Sequence, residues 1–299
     1  MRIAICGMGL RAIHVASLFK REMPETEFVG FYDAGVASAD WADDPIPEFD
    51  SLEDMLEATN PDLLFVTSPN YMHLDHIRTG LEFGVRIFAE KPVVTTIEQS
   101  FALAELLAKY GSDRVIIGLV LRYSKHVRDL NAALEQGQIG SIASIEASEY
   151  IAPYHGAFFM RDWRRKDEYS GGFMLEKCCH DLDLYNMVTG SRPARVASFG
   201  GRRSFLPEHA PAKDEDDRIY HVKESRWESQ DDPFHVDGDI VDQQTAIVEY
   251  ESGASMTFHT NSNVPDEHRR FCVMGAKGMA EGDFVRGYMR VTDARTGTR

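Results

Sequence analysis

The sequence predicts an α/β protein in two parts: an N-terminal parallel sheet covered by helices on both faces, then a C-terminal α+β domain. Three observations predict it. Over the first 120 residues or so, strand-like segments that are apolar throughout alternate with helical patterns, as in a sheet buried on both sides. A glycine-rich turn follows the first strand directly. After about residue 121 the texture changes to longer strands and fewer helices. With 299 residues, and roughly 150 residues per domain, two domains fit the length. We place the division at 1–121 and 122–299.

The elements follow in order. Residues 2–6 form a short apolar strand, and Ile13, Ala16, Phe19 and Lys20 carry a helical pattern behind it. Further strands are expected at 27–33, 63–67, 85–89 and 115–121, with helices at 51–58, 72–83 and 97–110. Crossovers between parallel strands should be right-handed. In the second part a helix at 127–135 leads through Gly137 and Gly140 to an alternating strand at 144–151. A loop rich in aromatic residues and arginine, 154–169, precedes a helix at 173–187. Strands are expected at 195–199, 245–250, 255–260, 270–274 and 286–292, and Tyr250-Glu251-Ser252-Gly253 reads as a hairpin turn. An antiparallel or mixed sheet with helices on one face suits this half.

Composition narrows the class. The apolar fraction is 43%, the charged fraction 27% and the aromatic fraction 10%, values of a globular chain. The longest apolar stretch, Val115-Ile116-Ile117-Gly118-Leu119-Val120-Leu121, is far short of the ~20 residues of a membrane span. Met1 runs straight into a charged residue and a strand, so no secretory signal is expected. Lys and Arg number 32 against 48 Asp and Glu, a net charge of −16. Such a surface repels nucleic acid and anionic membranes. Half of the excess lies in 207–242, where twelve carboxylates meet four basic residues. It reads first as a solvated acidic excursion, with a cation site around Asp237, Asp239 and Asp242 as the alternative. Cys6, Cys178, Cys179 and Cys272 have neither zinc spacing nor a disulfide framework, which points to a reduced, cytoplasmic chain without a metal. Cys178 and Cys179 read as core fillers.

Four clusters carry candidate chemistry. In Gly7-Met8-Gly9-Leu10-Arg11-Ala12 the first glycine permits a tight turn and the second lets a pyrophosphate approach the backbone. Small Ala12 lets helix and strand pack closely. Phosphates would then sit on backbone N–H groups of residues 7–11, at the positive end of the helix dipole. Asp33 ends the second strand 21 residues beyond Ala12, where a carboxylate accepts hydrogen bonds from ribose hydroxyls. The seven residues after it include no Lys or Arg to receive a 2′-phosphate, which favours NAD over NADP. Ser68-Pro69-Asn70-Tyr71-Met72-His73 ends the third strand and Ala89-Glu90-Lys91-Pro92 the fourth, both on the carboxyl rim where open parallel sheets bind ligands. Taken alone, Asn70 reads as a cap and His73 as a first-turn helix residue. Lys91 reads either as a surface lysine or as an ammonium aimed at a substrate hydroxyl or nicotinamide. In the fourth cluster, Gly171-Gly172 lead to a helix on which Leu175, Cys178, Cys179 and Leu182 make an apolar stripe. Glu176, His180 and Asp183 fall beside it at i, i+4 and i+7. A carboxylate one turn from a histidine fixes its tautomer, as a general base requires; a salt-bridge ladder with a packed histidine is the structural alternative.

Together these clusters resemble the glucose–fructose oxidoreductase / inositol dehydrogenase / rhizopine catabolism (Gfo/Idh/MocA) family. The resemblance also takes in Arg122-Tyr123, 137–140, Asp242-Gln243 and Gly275-Ala276-Lys277-Gly278, and so spans nearly the whole chain. It implies an NAD(P)-binding Rossmann domain followed by a domain with a large, open, mostly antiparallel sheet that often builds dimers or tetramers. It also implies an oxidoreductase acting on a sugar, cyclic polyol or related ring alcohol. By the same resemblance Lys91 and His180 are catalytic, with Glu176 beside His180, and Lys91-Pro92 is cis. Gly7, Met8, Gly9, Leu10, Arg11, Asp33, Ser68, Pro69, Asn70, His73, Glu90 and Lys91 would face the cofactor. Arg122, Tyr154, His155, Trp163, Arg164, Lys177 and Asp183 are candidates for the substrate pocket.

Two departures stand out. Glu176 takes the place of the aspartate that many members carry, and Lys177 the place of an apolar residue. They keep open a glycoside-cleaving relative that oxidises its sugar transiently. A sensor that binds dinucleotide or sugar without catalysis is the other alternative, against which intact Lys91 and His180 argue.

Overall fold

The computed structural model describes residues 1–35, 45–223 and 232–299. Part of the stretch after Asp33 and part of the acidic 207–242 stretch lie outside the described residues. The chain forms two compact units, Met1–Gly118 with Glu168–Gly171, and Leu119–Asp167 with Gly172–Arg299.

The first unit is built on five parallel strands, β1 (Arg2–Cys6), β2 (Glu27–Tyr32), β3 (Leu63–Val66), β4 (Arg86–Ala89) and β5 (Val115–Ile117), in the order β2-β1-β3-β4-β5. Helices α1 (Leu10–Glu22), α2 (Leu52–Thr59), α3 (His73–Glu82) and α4 (Ile97–Tyr110) connect them. Because successive strand residues point to opposite faces, Ile3 and Ile5 pack with Ala12, Val15 and Ala16 of α1. Ala4 and Cys6 pack with Met55 of α2, Ile77 of α3 and Leu103 of α4. Both faces of the central strands β1 and β3 are therefore dry, which is why those strands are apolar throughout, while Ile116 of the edge strand β5 is half exposed. The expected strand at 115–121 ends early. Gly118 still donates to the Ala89 carbonyl, but a Cβ there would lie 3.1 Å from Glu90 Oε1, and residues 120–123 turn into a short 3-10 helix.

The second unit holds a seven-stranded sheet in the order β12-β11-β10-β6-β9-β8-β7. Its strands are β6 (Ile142–Tyr150), β7 (Pro193–Gly201), β8 (Gln243–Tyr250), β9 (Ser255–Asn261), β10 (His268–Gly275), β11 (Gly278–Asp283) and β12 (Tyr288–Asp293). Only β6 and β9 pair in parallel; the sheet is otherwise antiparallel. Helices α5 (Lys125–Glu135) and α8 (Phe173–Thr189) cover one face, where Val127, Leu130, Leu184 and Tyr185 meet Ile145, Val248, Phe258 and Val273. Tyr250 to Gly253 turns as expected, with Gly253 at φ 86° and its N–H donating to the Tyr250 carbonyl.

Three expectations are corrected. The segment expected as a loop begins with helix α6 (Pro153–Arg161), followed by a 3-10 turn (Trp163–Arg165) and a one-turn helix α7 (Asp167–Ser170). Pro153 starts α6 where its missing N–H costs nothing. Gly156, Ala157, Phe159 and Met160 are all buried, so no single polar face marks the helix in the sequence. Strand β11 was not expected, because glycines at both ends dilute its pattern; a Cβ at Gly278 would meet the Gln138 carbonyl at 2.7 Å. The acidic excursion is solvated at Asp214, Glu215, Asp216 and Asp217, yet Phe205, Phe234 and Ile240 anchor it among Ile151, Phe159 and Phe173. The carboxylates considered for a cation serve the fold. Asp242 is fully buried and accepts from the N–H groups of Arg203, Ser204 and Phe205, Asp237 pairs with Arg165 and Lys166, and Asp239 accepts from Asp167 N.

Helix α6 presses directly on the chain after β9: a Cβ on Gly156 would stand 1.9 Å from the Ser262 carbonyl oxygen. Gly156→Ala therefore overpacks the unit and should lower the unfolding free energy by about 1–3 kcal/mol, read from urea melts. An unchanged midpoint would contradict this packing.

Candidate active site

In the first unit the site grows from the turn after β1. Gly7 has φ +91°, and a Cβ there would lie 2.3 Å from the backbone nitrogen of Ser68, so the turn accepts only glycine. Thr67 Oγ1 donates to the Gly7 carbonyl at 2.6 Å and ties the turn to the end of β3. Gly9, the N-cap of α1, has open space within 4 Å of the position a Cβ would take. No side chain caps this helix and its first turn carries no acidic residue. These features fit a dinucleotide: the turn presents Met8, Gly9, Leu10 and Arg11 around an uncapped helix N-terminus that attracts phosphate. Asp33 stands next to the turn, accepting from Met8 N at 2.6 Å and from Gly35 N at 2.8 Å.

The other rim residues are drawn together around Glu90 and His73. Glu90 is 5% exposed; its Oε1 accepts from Arg11 Nε at 2.7 Å and its Oε2 from Lys91 N at 3.2 Å. One carboxylate thereby joins the first turn of α1 to the tip of β4. The Lys91–Pro92 bond is cis. His73 is buried, with Nδ1 2.9 Å from the Pro92 carbonyl and Nε2 2.8 Å from the Ser68 carbonyl. Its ring thus braces the loops after β3 and β4, and any contribution to cofactor binding runs through them. Pro69 precedes a 3-10 turn of residues 70–72, and buried Asn70 donates to the Ser170 carbonyl at 3.4 Å, beside the ring contact of Tyr71 with Tyr169 at 4.8 Å. The sequence reading missed His76, whose Nδ1 lies 2.9 Å from Ser68 Oγ. Burial, and then its neighbour His73, pull its pKa down to about 4. The signal for it was its place one helical turn after His73.

In the second unit the candidates gather on α8. Glu176 is 4% exposed and accepts from Arg164 Nε at 3.1 Å; Arg164 also reaches Asp162 at 3.1 Å and lies over the rings of Trp163 at 4.2 Å and Phe158 at 5.0 Å. Asp183 is gripped by Arg122, whose guanidinium donates to both carboxylate oxygens at 2.5 and 2.6 Å. Lys177 pairs with Glu149 at 2.9 Å, so the cation that departs from the resemblance has its own counter-ion. His155 lies near-parallel to the rings of Tyr154, at 6.1 Å, and Phe159, at 5.1 Å. His180 is half-buried on the same helix, one turn from Glu176.

Beneath these residues lies a buried set of charges that the sequence did not reveal. Arg269 donates to both oxygens of Asp181 at 2.8 and 2.6 Å and lies 2.7 Å from Glu149, its cross-strand neighbour on β6. Burial opposes the charge on Arg269, but Asp181 and Glu149 outweigh it and hold the group protonated. The apolar stripe expected on α8 is accordingly displaced. Cys178 is buried and Leu182 packs on the core, while Leu175 and Cys179 are only half-buried and Asp181 takes a fully buried place.

Comparison with known proteins follows this division. Residues 1–119 match the family described as "Oxidoreductase family, NAD-binding Rossmann fold", and residues 127–281 match the "GFO/IDH/MocA C-terminal domain". The chain belongs to the GFO/IDH/MocA oxidoreductase family. Its first unit is therefore a nicotinamide-binding Rossmann domain. The chain is 27% identical to a putative oxidoreductase, YteT, of Bacillus subtilis over 94% of its own length and 76% of that protein. It is 23% identical to the scyllo-inositol 2-dehydrogenase (NAD(+)) of the same organism, over 93% and 72%. A putative oxidoreductase structure from Thermotoga maritima shares the fold, with a TM-score of 0.74, 16% identity, and coverage of 100% of this chain and 84% of that one. Among the described residues, no helix is long and apolar enough to cross a membrane.

His76 gives the first unit a measurable acid sensitivity. Its ring titrates near pH 6.5 when unfolded and at about 4 when folded, so the fold favours the neutral ring. That contribution is complete above pH 6.5 and is lost as pH falls toward 4. Between pH 7 and pH 5 the protein should lose about 2 kcal/mol more unfolding free energy than His76→Gln, in urea titrations of both. Equal losses would contradict the assignment.

Proposed function

We propose that this chain is an NAD-dependent dehydrogenase of a sugar, cyclic polyol or related ring alcohol. The observation that carries the reading is Glu90. It binds both Arg11 on the helix behind the glycine turn and the backbone of Lys91, so a lysine is fixed at the rim of a dinucleotide-binding sheet. The relative named as an inositol dehydrogenase supports the substrate class. Asp33 beside the turn supports NAD, since a carboxylate accepts ribose hydroxyls and repels a 2′-phosphate.

Residues of the turn, 7–11, would hold the pyrophosphate, Asp33 the adenosine ribose, and the loops braced by His73 the nicotinamide half. When bound, the nicotinamide supplies the hydride acceptor or donor. In oxidation, His180 takes the hydroxyl proton on an imidazole nitrogen. Glu176, one turn earlier and held by Arg164, stabilises the charged ring. The Lys91 ammonium stabilises the negative charge that grows on the substrate oxygen as its proton leaves. Tyr154 and His155, both part-exposed, offer aromatic surface to a ring; Trp163, expected at the pocket, is buried and supports Arg164 instead, and Arg122, Asp183 and Lys177 act by shaping the surroundings of α8. We further propose a cytoplasmic homo-oligomer, a dimer or tetramer.

The test is nicotinamide absorbance with NAD and then NADP across inositols, aldoses, sugar acids and aryl glycosides. One ring alcohol should yield reduced cofactor, with NAD preferred. On that substrate Lys91→Met and His180→Ala should each lower kcat by roughly 10²–10⁴-fold while NAD binding persists. Full turnover in either variant would refute these roles. Release of an aglycone without net reduction would replace the dehydrogenase by a glycosidase.

A further inference from the structure

The second unit contains a lysine that neither the comparisons nor the steps above employ. Lys223 follows the 3-10 turn Arg218–His221, and its backbone carbonyl accepts from Arg161 Nη2. Its ammonium lies 5.4 Å from the ring centroid of Tyr154 and 5.7 Å from that of Phe158. Phe158 is shared, since Arg164 stands 5.0 Å from the same ring. The neighbouring cations have partners: Arg164 is bound by Asp162 and Glu176, and Lys177 by Glu149. Among the described residues, no carboxylate lies within ion-pair distance of Lys223. This cation is instead held partly out of water by aromatic faces, in the field of two like charges. Among the described residues no counter-ion meets this ammonium, and a bound anion is a partner that suits it.

We propose that Lys223, with Tyr154 and Phe158, forms an anion-recognising subsite in the second unit, and that the ring alcohol taken by this enzyme carries a carboxylate or phosphate. The aromatic faces suit the apolar face of a sugar ring, and the ammonium between them suits an acidic substituent. Phe158, Arg164 and Glu176 then form a chain of contacts from Lys223 to the helical turn that carries His180. The inference rests on the dehydrogenase reading for its ring alcohol but not for its anion.

Titration offers a handle. Burial, then Lys177 and Arg164, lower the Lys223 pKa to about 8, against an opposing pull from Glu267. Among the described residues the groups facing it are Tyr154, itself raised above its usual range by burial and Glu267, together with Arg161, Arg164, Lys177 and Glu267. Lys223 is therefore charged at pH 7 and loses its charge as pH rises through 8, and anion affinity should fall with it.

The experiment is calorimetric titration of the full chain with glucuronate, glucose 6-phosphate and glucose at pH 7 and pH 9, alongside cofactor reduction by the same compounds. At least one acid should bind tighter than glucose by roughly tenfold or more, the worth of a charge-assisted hydrogen bond. The preference should shrink at pH 9, vanish in Lys223→Gln and return in Lys223→Arg. The arm that binds names carboxylate or phosphate. Equal binding of all three compounds, or a preference that survives at pH 9 and in Lys223→Gln, overturns the subsite whatever the enzyme reduces. An acid preference without cofactor reduction by these three compounds supports the subsite and leaves the dehydrogenase reading to be decided by the wider range of ring alcohols above. Should Lys223→Gln not fold, the pH arm on the unaltered protein decides.

Discussion

Helix α8, which carries the residues proposed for catalysis in the second unit, is held in place by a buried pair of opposite charges. Asp181 is fully buried, and Arg269 meets both of its oxygens while also touching Glu149. Taking each charge out of water costs several kcal/mol, and the pair recovers this only with close, well-aligned contacts. With Lys177 on Glu149 the four charges balance. Rotating α8 would strand a charge in the core, so its azimuth is fixed far more firmly than apolar packing alone would fix it. The directions of Glu176, His180 and Asp183 follow from that one constraint. Glu149 shows the tension: burial pushes its carboxyl up, against the pull of Lys177 and Arg269.

The first unit uses the same device on a smaller scale. Glu90 is buried at the end of β4, and its two oxygens reach different elements, α1 and the loop that begins with Lys91. Gly7 allows the turn to close on Ser68, and His73 braces the loops that follow β3 and β4. Polar groups thus sit where the parallel strands end, while the faces of the sheet are packed by apolar clusters. Binding chemistry and folding chemistry are separated by position along the strand rather than by face.

Much of this was legible in the sequence. Uniformly apolar strands, the glycine turn and the helix spacing of Glu176, His180 and Asp183 are local patterns, and local patterns survive in one dimension. What stayed hidden are partnerships between distant residues. Nothing near Lys177 announces Glu149, and nothing near Asp181 announces Arg269, because β6 and β10 meet through the sheet register and α8 by packing on the sheet's face. Lys223 was invisible for the same reason, lying some 60 residues after the aromatic helix it touches. Helix α6 escaped because it is buried on several sides, which erases the amphipathic period. Strand β11 escaped because glycines that admit close backbone approach also weaken the strand pattern.

The central claim is that this family member moves a hydride between a ring carbon and a nicotinamide. The most direct measurement uses a ring alcohol deuterated at its carbinol carbon, with NAD, and mass spectrometry of the recovered cofactor. Deuterium carried into the nicotinamide ring, in step with formation of the ketone, is the expected result. Product formed with the label retained on the sugar or released to water, and none in the cofactor, would contradict the account.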